Sequence, residues 1–123
     1  AILQAVVAAP PDGVVIHCHS GKDRTGTIVA LMLAVAGVPA DEIAADYALS
    51  QARLWPEYEQ RLQRGLAAAP ENLWTKPLAE PATMYAFLGH LASRYGGVHA
   101  YLDQAGLSAD QILQIRQRLA PGQ

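Results

Sequence analysis

The chain has 123 residues, 51% of them hydrophobic, and a formal net charge of −2 at pH 7. This composition is typical of one globular domain, and the weak charge without a basic run excludes a general affinity for nucleic acid or anionic membranes. A single cysteine excludes an internal disulfide and suits a reducing compartment. We therefore expect a cytoplasmic protein, with secretion as an effector as the alternative. We expect no transmembrane segment, because the longest apolar run covers only residues 28–36.

The first two predicted elements are a helix and a strand. Residues 1–9 predict a helix that ends at the following pair of prolines. Val14, Val15 and Ile16 follow a turn-forming Asp-Gly pair, and they predict a short strand buried on both faces, as in parallel sheets. One strand cannot satisfy its own backbone hydrogen bonds, and the sequence contains no second convincing strand. We therefore expect this strand to lie along an open edge or to be covered by another chain.

The rest of the chain has helical patterns. A helix beginning at Thr25 would end near Gly37, and the next helix would begin near residue 41. Trp55 and Pro56 would separate that helix from another, because proline favours the first turn of a helix. The remaining predictions are a loop over residues 70–81, a helix from Pro81 that stops at Gly96 and Gly97, a short helix over 98–104, and a last helix that Ser108 and Gln111 begin with a capping box.

The segment between the predicted strand and the Thr25 helix is HCHSGKDRTG, residues 17–26. Cys18 would lie at the carboxyl end of the strand, and five residues separate it from Arg24. Backbone N–H groups of this loop can converge on phosphate oxygens near the positive end of the helix dipole. Gly21 permits a tight loop, and the planar Arg24 guanidinium can bind two oxygens. The residues predicted to bind phosphate are His19, Ser20, Gly21, Lys22, Asp23, Arg24 and Thr25.

The same positive surroundings favour a nucleophilic Cys18. They should lower the pKa of its thiol, and Thr25 could donate its hydroxyl proton to the thiolate. The implied reaction is in-line attack of sulfur on a phosphate monoester, followed by hydrolysis of the phosphocysteine by water. A lone cysteine is more often an ordinary buried residue, but the whole motif between a strand and a helix favours catalysis.

The motif HCHSGKDRTG, the segment GVPADEIAADYALS and residues 83–119 resemble the bacterial and fungal tyrosine-phosphatase family of cysteine-dependent protein and lipid phosphatases. The resemblance implies an α/β fold similar to that of dual-specificity phosphatases. Residues 1–123 would be the C-terminal, mostly helical part of a single catalytic domain, carrying the active-site strand and phosphate loop. It also implies hydrolysis of phosphotyrosine, and in several members of phosphoserine, phosphothreonine or phosphoinositides, without a cofactor.

By position in this family, Cys18 is the nucleophile, Arg24 binds the phosphate, Lys22 adds a cation and Asp23 takes part in catalysis. Members of the family have a long N-terminal half with most of the sheet and a further aspartate, whereas 17 residues precede Cys18 here. We therefore expect two kinds of partner. One is a phosphorylated protein or phosphoinositide substrate, and the other is the missing N-terminal half or a second copy of the chain.

The general acid that protonates the leaving group has several candidates. Asp12 is the one carboxylate before Cys18, but it lies at the opposite end of the strand, about 20 Å away at about 3.3 Å per residue. Asp23 is the best candidate within the chain, and an equal alternative is that it orients Arg24 or a backbone N–H. The missing half could also supply the acid.

Other functions and sites fit the residues of the chain less well. A noncatalytic phosphate-binding module would result if the sheet and the acid were absent, and sulfur transfer or arsenate reduction is disfavoured because Cys18 has no second thiol. His17, Cys18 and His19 resemble metal ligands, but strand alternation directs the histidines away from the sulfur, so no metal site is predicted. Asp46 and Tyr47 fit a helix surface pair better than neighbours of the loop.

Overall fold

The computed structural model describes residues 1–65 and 76–120, which form six helices joined by loops. The helices are α1 (Ile2–Ala8), α2 (Asp23–Val35), α3 (Ala40–Gln63), α4 (Pro81–Tyr95), α5 (Val98–Gln104) and α6 (Ala109–Leu119). Helix α3 packs on α4, while α2 packs on both α3 and α6. None of these helices is both long and apolar enough to cross a membrane.

Helix α2 lies at the centre of the molecule. Leu31 and Met32 belong to one buried cluster, which also contains Leu3 of α1, Leu102 of α5 and Ile115 of α6. The neighbouring Ala30 belongs to a second cluster between α2, α3 and α4. A helix buried on several sides carries apolar residues around most of its circumference, which explains the uninterrupted apolar run of residues 28–36. This burial fixes the helix whose N-terminus follows the cysteine loop.

Several predicted helix ends are confirmed. Helix α4 ends at Gly96, whose φ of 84° is in the left-handed region that glycine adopts without strain. Ser108 and Gln111 form both hydrogen bonds of the capping box at the start of α6. Helix α2 begins at Asp23, two residues before the predicted start at Thr25. The first turn of α2 therefore lies within the motif.

The predicted boundary at Trp55 and Pro56 is wrong. Both residues lie inside α3, which is 24 residues long. Proline removes one backbone hydrogen bond, to the carbonyl of Ala52, but that residue and Pro56 are exposed, so water can satisfy the carbonyl. Tyr58, two residues after Pro56, is buried, and Trp55 donates its indole N–H to Glu59 at 3.0 Å. These contacts continue the helix through the proline. Residues 70–75 of the predicted loop over 70–81, including Trp74, lie outside the described residues, and residues 76–80 belong to no helix or strand.

The predicted strand is not formed, and the described residues are helical rather than α/β. Residues 13–18 have no regular secondary structure. Val14 is 40% exposed and Val15 is 86% exposed, whereas Ile16 packs against the first cluster. A strand exists only when a neighbour completes its hydrogen bonds, and the described part of the chain supplies no such neighbour. The two valines are exposed as expected, but they form no strand edge, and Ile16 is packed against the core.

Helix α6 contacts the chain just after the end of α1. Arg118 donates hydrogen bonds to the carbonyl oxygens of Ala9 and Pro10, the latter at 2.8 Å. A guanidinium group that binds two consecutive carbonyls restrains the chain where α1 ends. The residues that lead to Cys18 are therefore tied to the main helical body although they belong to no helix themselves.

Candidate active site

The cysteine loop runs directly into the N-terminus of α2. Lys22 is the N-cap residue, and its carbonyl accepts the N–H of Gly26 at 2.8 Å. The preceding Gly21 has a φ of +70°, and nothing lies within 4 Å of the Cβ that another residue would add there. The requirement for glycine at this position is therefore conformational rather than steric. The unpaired N–H groups of the first turn and the positive end of the helix dipole lie beside the loop.

Cys18 is half-buried and has an acidic thiol. Its pKa is lowered to about 6, first by hydrogen bonding from the Thr25 side chain and backbone, and further by the backbone N–H groups of Gly21 and Lys22. Burial opposes this effect, because it disfavours the charged form. The loop therefore favours the thiolate, which is the nucleophilic form, at neutral pH.

The Thr25 hydroxyl is the candidate donor to the sulfur of Cys18, and both residues line the same cavity. Its oxygen is buried and has no hydrogen-bond partner of standard geometry within the described ranges, yet its side chain makes the largest contribution to the low pKa of Cys18. The hydroxyl therefore has an unused donor close to the sulfur, and an ionised thiol is a much stronger acceptor than a neutral one. Ionisation of Cys18 would thus satisfy a buried hydroxyl group.

We expect the alkylation rate of Cys18 by iodoacetamide to rise with pH around a midpoint near 6 and then to level off. Thr25→Val removes the hydroxyl and keeps the shape. A hydrogen bond to a charged group contributes about 1.5–3 kcal/mol, so this variant should raise the midpoint by about one pH unit or more. The measurement is the rate at each pH, followed by intact mass.

Thr25→Ser is the matched control, because it keeps the hydroxyl, and its midpoint should stay close to that of the wild type. A wild-type midpoint near 8.5, the value of an ordinary thiol, would contradict the assignment of an activated cysteine. An unchanged midpoint in Thr25→Val would show that this hydroxyl does not stabilise the thiolate.

Asp23 and Lys22 form a hydrogen-bonded group with Tyr47 of α3. The Lys22 Nζ lies 2.7 Å from Asp23 Oδ1 and donates to the carbonyl of Leu78 at 2.6 Å. The Tyr47 hydroxyl donates to the same Asp23 oxygen at 3.0 Å. Lys22, predicted as an added cation for substrate, is thus engaged with protein oxygens, and its side chain is only 12% exposed. The Asp23 side chain is 60% exposed, so it remains accessible from solvent.

Tyr47 is buried beneath the start of α2. Its pKa is raised to about 12 by burial and by the neighbouring Asp23 carboxyl. Its ring lies so close to α2 that a Cβ added to Gly26 would be 2.8 Å from Tyr47 Cδ2, nearer than van der Waals contact allows. The glycine that ends the sequence motif therefore makes room for this tyrosine.

The interpretation of Asp46 and Tyr47 as a surface pair is wrong for Tyr47. Asp46 is exposed, whereas Tyr47 is buried and contacts the loop residue Asp23. The signal was present in the sequence: Ile43, Ala44 and Tyr47 are spaced as the apolar face of a helix, and all three are buried. The partner of the hydroxyl could not be predicted from that spacing.

The remaining loop side chains point to solvent. His17, His19, Ser20 and Arg24 are exposed, and no group of side chains in residues 1–65 or 76–120 is arranged to hold a metal ion. Beside the loop lies an apolar cavity of about 410 Å³. Its lining residues come from α1, from residues 14–18 and from the start of α2, and they include Cys18, Arg24 and Thr25.

The cysteine loop, the helix that follows it and the lowered pKa of the thiol are the features expected of a phosphate-binding loop beside a nucleophilic cysteine. Residues 1–121 match the family model described as the tyrosine phosphatase family. The chain therefore belongs to the tyrosine phosphatase family.

Curated relatives with similar sequences are also named phosphatases. The chain is 37% identical over 123 residues to the tyrosine-protein phosphatase of Nostoc commune, covering 92% of this chain and 41% of that protein. It is 34% identical over 118 residues to the triple specificity protein phosphatase PtpB of Mycobacterium tuberculosis, covering 84% of this chain and 42% of that protein. The chain thus spans about two fifths of the length of these relatives.

Proposed function

We propose that this chain carries the nucleophile and phosphate loop of a cysteine-dependent phosphatase that hydrolyses phosphate monoesters through a phosphocysteine intermediate. The observation that supports the proposal most directly is the lowered pKa of Cys18, about 6, in a loop that ends at a helix N-terminus. A thiolate is nucleophilic at neutral pH, and the adjacent N–H groups suit the anionic substrate.

The proposed reaction has two displacements at phosphorus. In the first, the Cys18 thiolate attacks, a sulfur–phosphorus bond forms, and the bond to the leaving oxygen breaks. In the second, water attacks the phosphocysteine, and the thiolate leaves with inorganic phosphate as the product. Arg24 and the loop N–H groups, from His19 through Thr25, would bind the phosphoryl oxygens and stabilise the charge that develops on them. Neither step requires a redox partner.

The substrate class follows from the relatives. The two named here are a tyrosine-protein phosphatase and a triple specificity protein phosphatase. We therefore propose phosphotyrosine as a substrate, with phosphoserine, phosphothreonine and phosphoinositides as further candidates.

The leaving oxygen needs a proton, and two sources fit the chemistry. Asp23 is in the loop and accessible, but its Oδ1 already accepts hydrogen bonds from Lys22 and Tyr47. A carboxyl held in this way suits an orienting role better than proton delivery. We therefore favour an acid supplied from outside this chain, because the relatives are more than twice as long as the region that matches them.

The same length difference supports a partner for residues 14–17. Val14 and Val15 are exposed, and an apolar cavity of about 410 Å³ lies beside them. An added strand would complete the hydrogen bonds of this segment and cover the valines. We propose that the N-terminal half of the domain provides it, which would restore the α/β architecture, with a second copy of the chain as the alternative.

The test is a pre-steady-state burst experiment on the intact protein with an aryl phosphate. We expect release of about one equivalent of phenol per active site before steady turnover, together with a phosphoryl adduct on Cys18 in acid-quenched protein. If the chain only binds phosphate, inorganic phosphate would protect Cys18 from alkylation, but no phenol would be released from the aryl phosphate. That outcome would replace the proposed function by a noncatalytic phosphate-binding role.

A further inference from the structure

The Tyr47 hydroxyl connects the core of the protein to the phosphate loop. Tyr47 is 6% exposed and belongs to the cluster between α2, α3 and α4. Its hydroxyl donates to Asp23 Oδ1 at 3.0 Å, and Asp23 is the loop residue directly before Arg24. Twenty-four positions separate the donor and the acceptor, so this bond is a tertiary contact between two helices.

Asp23 needs such a contact to keep one orientation. Its side chain is 60% exposed, and an exposed carboxylate without fixed partners samples several rotamers. Two donors meet on one oxygen: the Tyr47 hydroxyl and the Lys22 ammonium group. Lys22 is in turn fixed by the carbonyl of Leu78. The carboxylate is thereby held through its Oδ1 oxygen.

Two further observations indicate that this arrangement is built into the sequence. The pKa of Tyr47 is raised to about 12, so the hydroxyl keeps its proton and remains a donor throughout the pH range of any enzyme assay. Gly26 provides the space for the ring, because a Cβ there would lie 2.8 Å from Tyr47 Cδ2. A glycine inside a helix costs about 1 kcal/mol relative to alanine, and here it permits the close approach of α3.

We propose that Tyr47 is a positioning residue of the active site, which acts by holding the Asp23 carboxylate in the orientation that the reaction requires. The inference rests on the proposed phosphatase function and adds to it a residue from outside the loop. Tyr47 does not touch substrate in this role. Its effect reaches the reaction through Asp23.

The test compares Tyr47→Phe with Tyr58→Phe in the intact protein. Tyr47→Phe keeps the ring and removes the donor, and we expect kcat to fall about tenfold. The concentration of inorganic phosphate that protects Cys18 from alkylation should change less than twofold, because the binding N–H groups are retained. Tyr58 is a buried tyrosine of the same helix, beside Trp55, and Tyr58→Phe should leave kcat within twofold of wild type.

Tyr47→Phe in an Asp23→Ala background distinguishes an effect of Tyr47 on the Asp23 carboxylate from an effect of Tyr47 on core packing. If Tyr47 acts through Asp23, Tyr47→Phe should change kcat less than twofold once the carboxylate is gone. The inference would be overturned if Tyr47→Phe lowered kcat by the same factor in both backgrounds. It would also be overturned if Tyr47→Phe weakened the protection of Cys18 by inorganic phosphate by the same factor as it lowered kcat. A wild-type kcat in Tyr47→Phe while the wild-type protein is active would overturn it as well. A wild-type protein without turnover would overturn the proposed function, and this inference with it.

Discussion

We expect the replacement of Cys18 with serine to abolish turnover of an aryl phosphate and to leave binding of inorganic phosphate intact. A serine hydroxyl ionises far less readily than a thiol with a pKa of about 6, and nothing in the loop replaces the lost nucleophile. We expect a loss of at least about a thousandfold in kcat, since removal of a covalent nucleophile leaves only the contribution of substrate binding. The measurement is steady-state hydrolysis by the intact protein, with phosphate binding measured by calorimetry.

A chelator provides the control for this experiment. Turnover of the wild-type protein should be unchanged after treatment with a metal chelator, because the proposed displacement uses sulfur as the nucleophile. Activity that persists in Cys18→Ser, or that disappears with chelation, would contradict the proposed mechanism. Loss of phosphate binding in Cys18→Ser would mean that the loop no longer folds, in which case Cys18→Ala serves as the second variant.

The features that are easiest to predict from the sequence are those encoded by neighbouring residues. Cys18, Gly21 and Thr25 lie within eight positions, so the sequence itself brings a thiol, a left-handed loop residue and a hydroxyl together before a helix. The capping box of Ser108 and Gln111 is equally local and is confirmed. In such cases the covalent chain determines which groups meet, and a pattern of residue types is sufficient.

The features that were missed depend on distant residues. The bond from Lys22 to Leu78 spans 56 positions, and the bond from Tyr47 to Asp23 spans 24. Neither partner can be chosen from a helical pattern alone, because periodicity indicates which face is buried but not what it contacts. The boundary at Pro56 failed for a related reason, since burial of Tyr58 stabilises a helix that the local preference of proline would end.

The strand over residues 14–17 shows a different limit. The β-branched residues Val14, Val15 and Ile16 favour an extended backbone, but a strand forms only with a neighbour. In the described residues that neighbour is absent, and two of the three side chains are exposed. The sequence can therefore indicate that the segment prefers an extended backbone, while formation of a strand requires a neighbouring strand.

Arg24→Lys tests the part of the site proposed to bind the transferred phosphoryl group. Arg24 lies in the first turn of α2, is exposed, and lines the same cavity as Cys18. Lysine keeps the positive charge but loses the planar pair of donors that contacts two oxygens at once. We expect kcat/KM to fall about a hundredfold, which corresponds to about 3 kcal/mol of transition-state stabilisation.

The control is Arg94→Lys, the same substitution at an exposed arginine in the last turn of α4. It should leave kcat/KM within twofold of wild type, because α4 belongs to the helical body rather than to the loop. Thermal unfolding of both variants should match that of the wild type, since exposed charge-conserving substitutions change stability little. The decisive comparison is the kinetic one: a change of less than about threefold in Arg24→Lys would mean that the loop of residues 17–26 does not bind the phosphoryl group during the reaction.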